Sequence, residues 1–261
     1  MNRLVPCQTQ AWLRWYPVWR RNARVWRKLW GPALLGNIGE PLLYLFGLGY
    51  GLGFFVGQVN GLDYVVFLAS GTVCASAMNT ASFEGMYSAY TRMAVQDTWL
   101  GMFTAPLDLA DIVLGEAIWG GTKSLISAAA ILLVAAALGL VAGWQALWVL
   151  PVAFLLGTAF AAMALVVTAV SRSYDFFLYY FTLVITPMLL LSGVFFPLEQ
   201  MPALIQQVSA WLPLSHAILL VRPLMTGQAV SEVGLHLCVI MLYLVTALPL
   251  SIRLIKKRLL S

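Results

Sequence analysis

The chain has 261 residues, of which 61% are hydrophobic and only 10% charged, with a formal net charge of +5. Soluble chains carry about one quarter charged residues, so this composition excludes a water-soluble domain with an ordinary charged surface. The apolar residues come in blocks of roughly 20, the length that spans a hydrocarbon core of ~30 Å, and this defines a polytopic membrane protein. Runs such as AAAILLVAAALGLVAG do not alternate, which excludes an outer-membrane barrel and leaves helices. Six spans are expected, at 33–56, 63–88, 112–141, 146–170, 176–196 and 232–254.

The first 32 residues hold Arg3, Arg14, Arg20, Arg21, Arg24, Arg27 and Lys28, seven of the fifteen basic residues. Four more, Arg253, Lys256, Lys257 and Arg258, form a basic tail over 253–261. With an even number of spans both termini share one side, and positive charge puts that side in the cytoplasm. Arg92 and Arg172 then fall on cytoplasmic loops, with Arg222 outside. The charge reports membrane topology and does not point to nucleic acid. Before the first span, 17–30 places Trp19, Trp26 and Trp30 on one arc of a helix and the basic residues opposite. This reads as an amphipathic helix lying along the interface, or as a charge cluster that only fixes topology.

The first span carries GLGYGLGFFVG, where Gly47, Gly49, Gly51, Gly53 and Gly57 form overlapping GxxxG pairs. Small residues at that spacing allow close helix approach, within the chain or between subunits. They fit no GxGxxG register, so they are not a dinucleotide fingerprint. Between the second and third spans, loop 90–111 mixes Trp99, Leu100, Met102 and Phe103 with Arg92, Gln96 and Asp97. It reads as a short amphipathic helix ended by Pro106, suited to a protein partner or to the lipid interface. The third span opens on GEAIWGGTKS, Gly115 to Ser124, close to a phosphate-binding loop. That motif puts lysine at 121, where this chain has Gly121, so no nucleotide site is expected.

Four ionisable residues stand at membrane depth: Glu40, Glu84, Glu116 and Lys123. Such residues are functional candidates, and here the expected role is pairing between helices or reaching the inner interface. No catalytic grouping is present: His216 and His236 belong to no HExxH, and no GxSxG accompanies them. Cys7, Cys74 and Cys238 are far apart without CxxC, so neither a disulfide framework nor a metal site is expected. After the fifth span, residues 197–231 are apolar but broken by Pro202, Pro213 and Pro223. They must leave and return on the outer side as two short helices, a re-entrant cap over a pathway.

These residues resemble the permease subunits of type 2 ABC exporters. The marks are SGVFFP at 192–197, Met201-Pro202, Pro213-Leu214, Ala217, and Arg222 five residues before Gly227. The stretches WRRN at 19–22, YLFGLGYGLG at 44–53, DIVLGE at 111–116 and SYDFF at 173–177 look closer still to the nodulation protein J branch, which exports lipo-oligosaccharides. The resemblance covers nearly the whole chain. It implies an all-α membrane protein with six transmembrane helices, an interfacial N-terminal helix and an outer re-entrant helical pair. It also implies a homodimer in the bacterial inner membrane, driven by two copies of a separate ATPase that binds the ATP and Mg. Loop 90–111, through Arg92, Gln96, Asp97, Trp99, Leu100, Met102 and Phe103, would take the coupling role, and Phe195, Phe196, Pro197, Met201, Pro202, Pro213 and Arg222 would form the outer lid. One departure is Leu100, where that branch has an acidic residue after Thr98-Trp99. An ion-coupled carrier is the alternative class, but it would place its charges near mid-membrane, and here they cluster near the ends.

Overall fold

The computed structural model describes residues 13–28, 30, 31, 39 and 42–260. Glu40, Cys7, and most of 33–41 at the start of the first expected span lie outside the described residues. Helix α1 covers Tyr16–Trp26, with Pro17 in its first turn, where a missing N–H costs nothing. Among the described residues, four helices are long and apolar enough to cross a membrane. They are α3 (Tyr64–Val95), α5 (Leu109–Ala137), α6 (Trp144–Val170) and α10 (Val233–Leu260). Between them lie α2 (Tyr44–Val56), α4 (Thr98–Met102), α7 (Asp175–Leu191), α8 (Ala203–Ser209) and α9 (Pro213–Thr226).

Helices α2 and α7 stand where the first and fifth spans are expected; α7 is shorter than a full crossing, and the residues just before α2 lie outside the described ones. Both contain widened i→i+5 turns, at Tyr44–Tyr50 and Phe181–Ile185. A two-residue hairpin pairs Gln58 with Asp63 and Val59 with Leu62 as the chain turns back from α2 into α3. Gly57 enters that turn at φ +69, which a Cβ would strain. The expected broken segment is observed as α8 and α9, bent by 87° at Leu212-Pro213.

Helix α3 is the axis of the bundle, with 83% of its most apolar window buried, against 17% for α10 at the periphery. It packs on α5, α6 and α9, and α5 packs most extensively on α6. Glycine makes these crossings close. A Cβ on Gly120 would lie 2.5 Å from Ala161 Cβ, and one on Gly121 would lie 3.0 Å from the Phe154 carbonyl oxygen and collide with Thr158 Oγ1. One on Gly157 would collide with Ser124, and one on Gly85 would lie 2.9 Å from the Ala161 carbonyl oxygen. The stretch that imitates a phosphate-binding loop is thus the small-residue seam of α5 and α6. In α2 and just after it, by contrast, Gly47, Gly51 and Gly57 have open space where a Cβ would go, and Gly49 and Gly53 meet side chains of Leu45, Leu68, Val65 and Tyr64 at ordinary contact.

Candidate coupling site and outer cap

At the end of the bundle where α1 lies, Arg92 reaches back along α3 into an ion-paired cluster. Its Nη2 donates to Glu84 Oε1 at 2.8 Å and to Glu116 Oε2, and its Nε donates to Glu116 Oε1 at 3.0 Å. Lys123 Nζ donates to Glu84 Oε2 at 2.8 Å, and Trp119 Nε1 to Glu84 Oε1 at 3.0 Å. Both carboxylates are buried. Every carboxylate oxygen therefore has a donor, which offsets the desolvation that two bare anions would suffer. Glu84, Glu116 and Lys123 pair between helices as their positions suggested. Arg92 requires a correction. The sequence puts it on the coupling loop, beyond a second span ending at 88, but α3 continues to Val95 through widened turns at Glu84–Ser88 and Thr91–Val95. The guanidinium consequently faces the bundle.

The loop proper is 96–108, shorter than the 90–111 expected. Asp97 stands at φ +50 ahead of the five-residue α4, and Gln96, Asp97, Leu100 and Phe103 are exposed. Trp99 also requires a correction. Assigned as a docking anchor, it is fully buried in a cluster with Met86, Met93, Ile112 and Phe177, and Met102 packs against the same cluster. Neighbouring residues on a helix point about 100° apart, so Trp99 can face the bundle while Leu100 faces away from it. Trp99 holds the loop on the bundle, and Leu100 at 52% and Phe103 at 40% exposure are the apolar side chains left for a partner.

Helix α1 docks on the same end. Trp19 and Trp26 both meet the Trp119 ring edge-on, at centroid distances of 6.4 and 6.2 Å, and Trp19 Nε1 donates to Thr122 Oγ1 at 2.9 Å. Val18 fills the space over Gly115. Trp19 and Trp26 are therefore seated on protein, while Trp30 is exposed, as are Arg20, Arg24, Arg27 and Lys28. In the basic tail, Arg258 donates to the carbonyls of Thr168 and Ala169, the open C-terminal end of α6.

At the opposite end the SGVFFP turn is clamped by Arg222. Its Nη2 donates to the Gly193 carbonyl at 2.8 Å, its Nε to Ser70 Oγ at 3.0 Å, and its guanidinium carbon lies 3.7 Å over the Phe67 ring. Gly193 itself is at φ +81 and admits no ordinary side chain. Phe195 is buried edge-on against Tyr44, and Pro197 and Pro213 are buried. Phe196 and Pro202 are exposed, with Met201 half-buried. One further link was invisible in sequence: His216 Nδ1 meets His236 Nδ1 at 2.8 Å, and His216 Nε2 meets the Ala210 carbonyl at 2.9 Å. A carbonyl only accepts, so Nε2 carries the proton and His216 Nδ1 accepts from His236, tying α9 to α10. Replacing Arg222 by leucine should lower the thermal midpoint of the purified protein and leave the Gly193 carbonyl without its donor, at about 1–3 kcal/mol for a buried orphan. Lysine at 222 should recover only part of that midpoint, because it lacks the planar fork.

The family description of the ABC-2 type transporter matches residues 15–226, spanning α1 through the re-entrant pair. The chain belongs to the ABC-2 type transporter family. As a whole, this ABC-2 permease is 49% identical to Nodulation protein J of Rhizobium leguminosarum bv. trifolii over 95% of each chain. It is 47% identical to Nodulation protein J of Rhizobium leguminosarum bv. viciae, again over 95% of each. More distantly it is 24% identical to the inner membrane transport permease YadH of Escherichia coli, over 79% of this chain and 80% of that one. Membership bears out the all-α permease fold and its place in a membrane, and it implies a partner ATPase.

Proposed function

We propose that the chain is the membrane subunit of an ATP-driven exporter that moves an amphipathic glycolipid or lipo-oligosaccharide outward. In this reading it works as a homodimer in the bacterial inner membrane, with both termini cytoplasmic, and two ATPase subunits supply ATP and Mg. The observation that carries the reading is likeness to Nodulation protein J along nearly the full length, joined to an exposed apolar pair, Leu100 and Phe103, on a loop braced by buried Trp99. Force from a separate ATPase needs such a contact. The ion-paired cluster of Glu84, Arg92, Glu116 and Lys123 beneath the loop makes a stiff connection from it to the bundle.

Replacing both Leu100 and Phe103 by alanine should leave a normally inserted permease that loses its ATPase on purification, at a cost on the order of 2 kcal/mol or more of docking energy. Trp99→Ala should instead lower the thermal midpoint of the permease alone, by about 3–5 kcal/mol of stability. Normal retention of the ATPase by the Leu100 and Phe103 double variant would remove the coupling assignment. The substrate class is tested separately, by mass spectrometry of lipids that co-purify with the assembled complex. Recovery of phospholipids alone, with no glycolipid, would overturn it.

A further inference from the structure

Between α1, α3 and α5 lies a cavity of about 230 Å³, lined by Arg21, Asn22, Trp26, Glu84, Ser88, Arg92, Trp119 and Lys123, with half-exposed Val25 at its edge. Its wall holds two N–H groups without acceptors. Asn22 is 3% exposed, its Oδ1 accepts from Arg21 Nη1 at 3.0 Å, and its Nδ2 has no partner. Trp26 Nε1 is likewise buried and unpartnered. Buried donors without acceptors are costly, on the order of 1–3 kcal/mol each, and point to a missing acceptor.

The charges have the same sense. Arg21, Arg92 and Lys123 bring three positive charges, and Glu84 and Glu116 bring two negative ones. All four carboxylate oxygens already accept from Arg92, Lys123 or Trp119. Arg21 is left with an amide oxygen and no carboxylate, so one positive charge stands uncompensated. Burial lowers the pKa of Arg21, and neighbouring Arg92 lowers it further, partly opposed by Glu116. An anion beside Arg21 would relieve both effects.

We propose that this cavity binds the phosphodiester of one bilayer phospholipid, with Arg21, Asn22 Nδ2 and Trp26 Nε1 as its donors. A phosphodiester carries a single negative charge, matching the excess of one, and has only acceptor oxygens, matching the two orphan donors. The lipid surface is the source because α1 is read as an interfacial helix whose exposed basic residues lie at headgroup level, so acyl chains can stay in the bilayer while the phosphate enters. The assignment concerns a resident lipid and is independent of the exported molecule.

The test is native mass spectrometry of the purified full chain with its ATPase, without ATP, titrated with phosphatidylglycerol or with a diacylglycerol of the same chains. One phosphatidylglycerol per permease chain should survive delipidation, with no retained diacylglycerol. Trp26→Phe, which keeps an aromatic side chain but loses the indole N–H, and Asn22→Asp, which cancels the excess charge, should each weaken retention on the order of ten-fold. Equal retention in wild type and both variants, or equal binding of diacylglycerol, would overturn the proposal. So would inorganic phosphate raising the thermal midpoint of wild type alone while no phospholipid is retained, since the ligand would then be the free ion. Because binding is read without ATP, a failure of export leaves this result unaffected.

Discussion

Replacing Arg92 by alanine should destabilise the permease by about 3–5 kcal/mol, the cost of leaving buried carboxylates without their counter-charge. Arg92 donates to Glu84 once and to Glu116 twice, and Glu116 has no other donor in the cluster. Its removal therefore strands one carboxylate completely and leaves Glu84 to Lys123 and Trp119. The measurement is the thermal midpoint of the detergent-purified protein together with its yield in the membrane. A second substitution separates charge from packing. Adding Glu116→Gln to the Arg92→Ala chain removes the stranded anion and should restore a good part of the lost midpoint. Glu116→Gln alone should cost less than Arg92→Ala, because Arg92 keeps Glu84. An unchanged midpoint in the arginine variant would mean that the cluster is not holding α3 against α5.

The second large effect is expected at the seam of α5 and α6. Gly157→Val should abolish stable folding or lower the midpoint by more than the roughly 1–3 kcal/mol of ordinary overpacking, because a Cβ there meets Ser124 and lies 3.3 Å from Gly121 Cα. Backbone cannot move aside as a flexible side chain can. Ser124→Gly combined with Gly157→Ala should be tolerated far better than Gly157→Val, since it removes the nearest obstacle. The same substitution at Gly47 or Gly51, which face open space within the chain, should leave the monomer's midpoint nearly unchanged.

The bundle was legible in sequence because burial in lipid is written as long apolar runs. The expected spans at 112–141, 146–170 and 232–254 fall on α5, α6 and α10 within a few residues at most ends, and the proline breaks located the bend between α8 and α9. Helix α3 runs past the expected end at 88 to Val95, with Arg92 neutralised inside the bundle. Pairing across elements leaves no trace in local hydropathy. For the same reason Trp99 read as an exposed anchor: a five-residue helix has too few positions for periodicity to say which face is buried. The glycines of α2 stood out by their regular spacing, whereas those that make close contact, Gly85, Gly120, Gly121 and Gly157, are scattered over three helices and acquire meaning only when those helices cross. The histidine pair joins residues 20 apart through a bend, which no spacing rule anticipates.

The backbone approaches on α5 also divide the molecule mechanically. Where main chain meets main chain across glycine, a helix cannot slide along its neighbour without driving a carbonyl or a side chain into it, so α3, α5 and α6 form one block that turns as a unit. Among the described residues, α2 and α7 show no such interlock: they contain widened turns and expose rows of large side chains, among them Phe46, Tyr50, Phe54, Leu178, Tyr179 and Leu183. If α4 is the ATPase contact proposed above, a push delivered there would pass through the block with little loss, and the shape change would be taken up by the perimeter, where shear costs least.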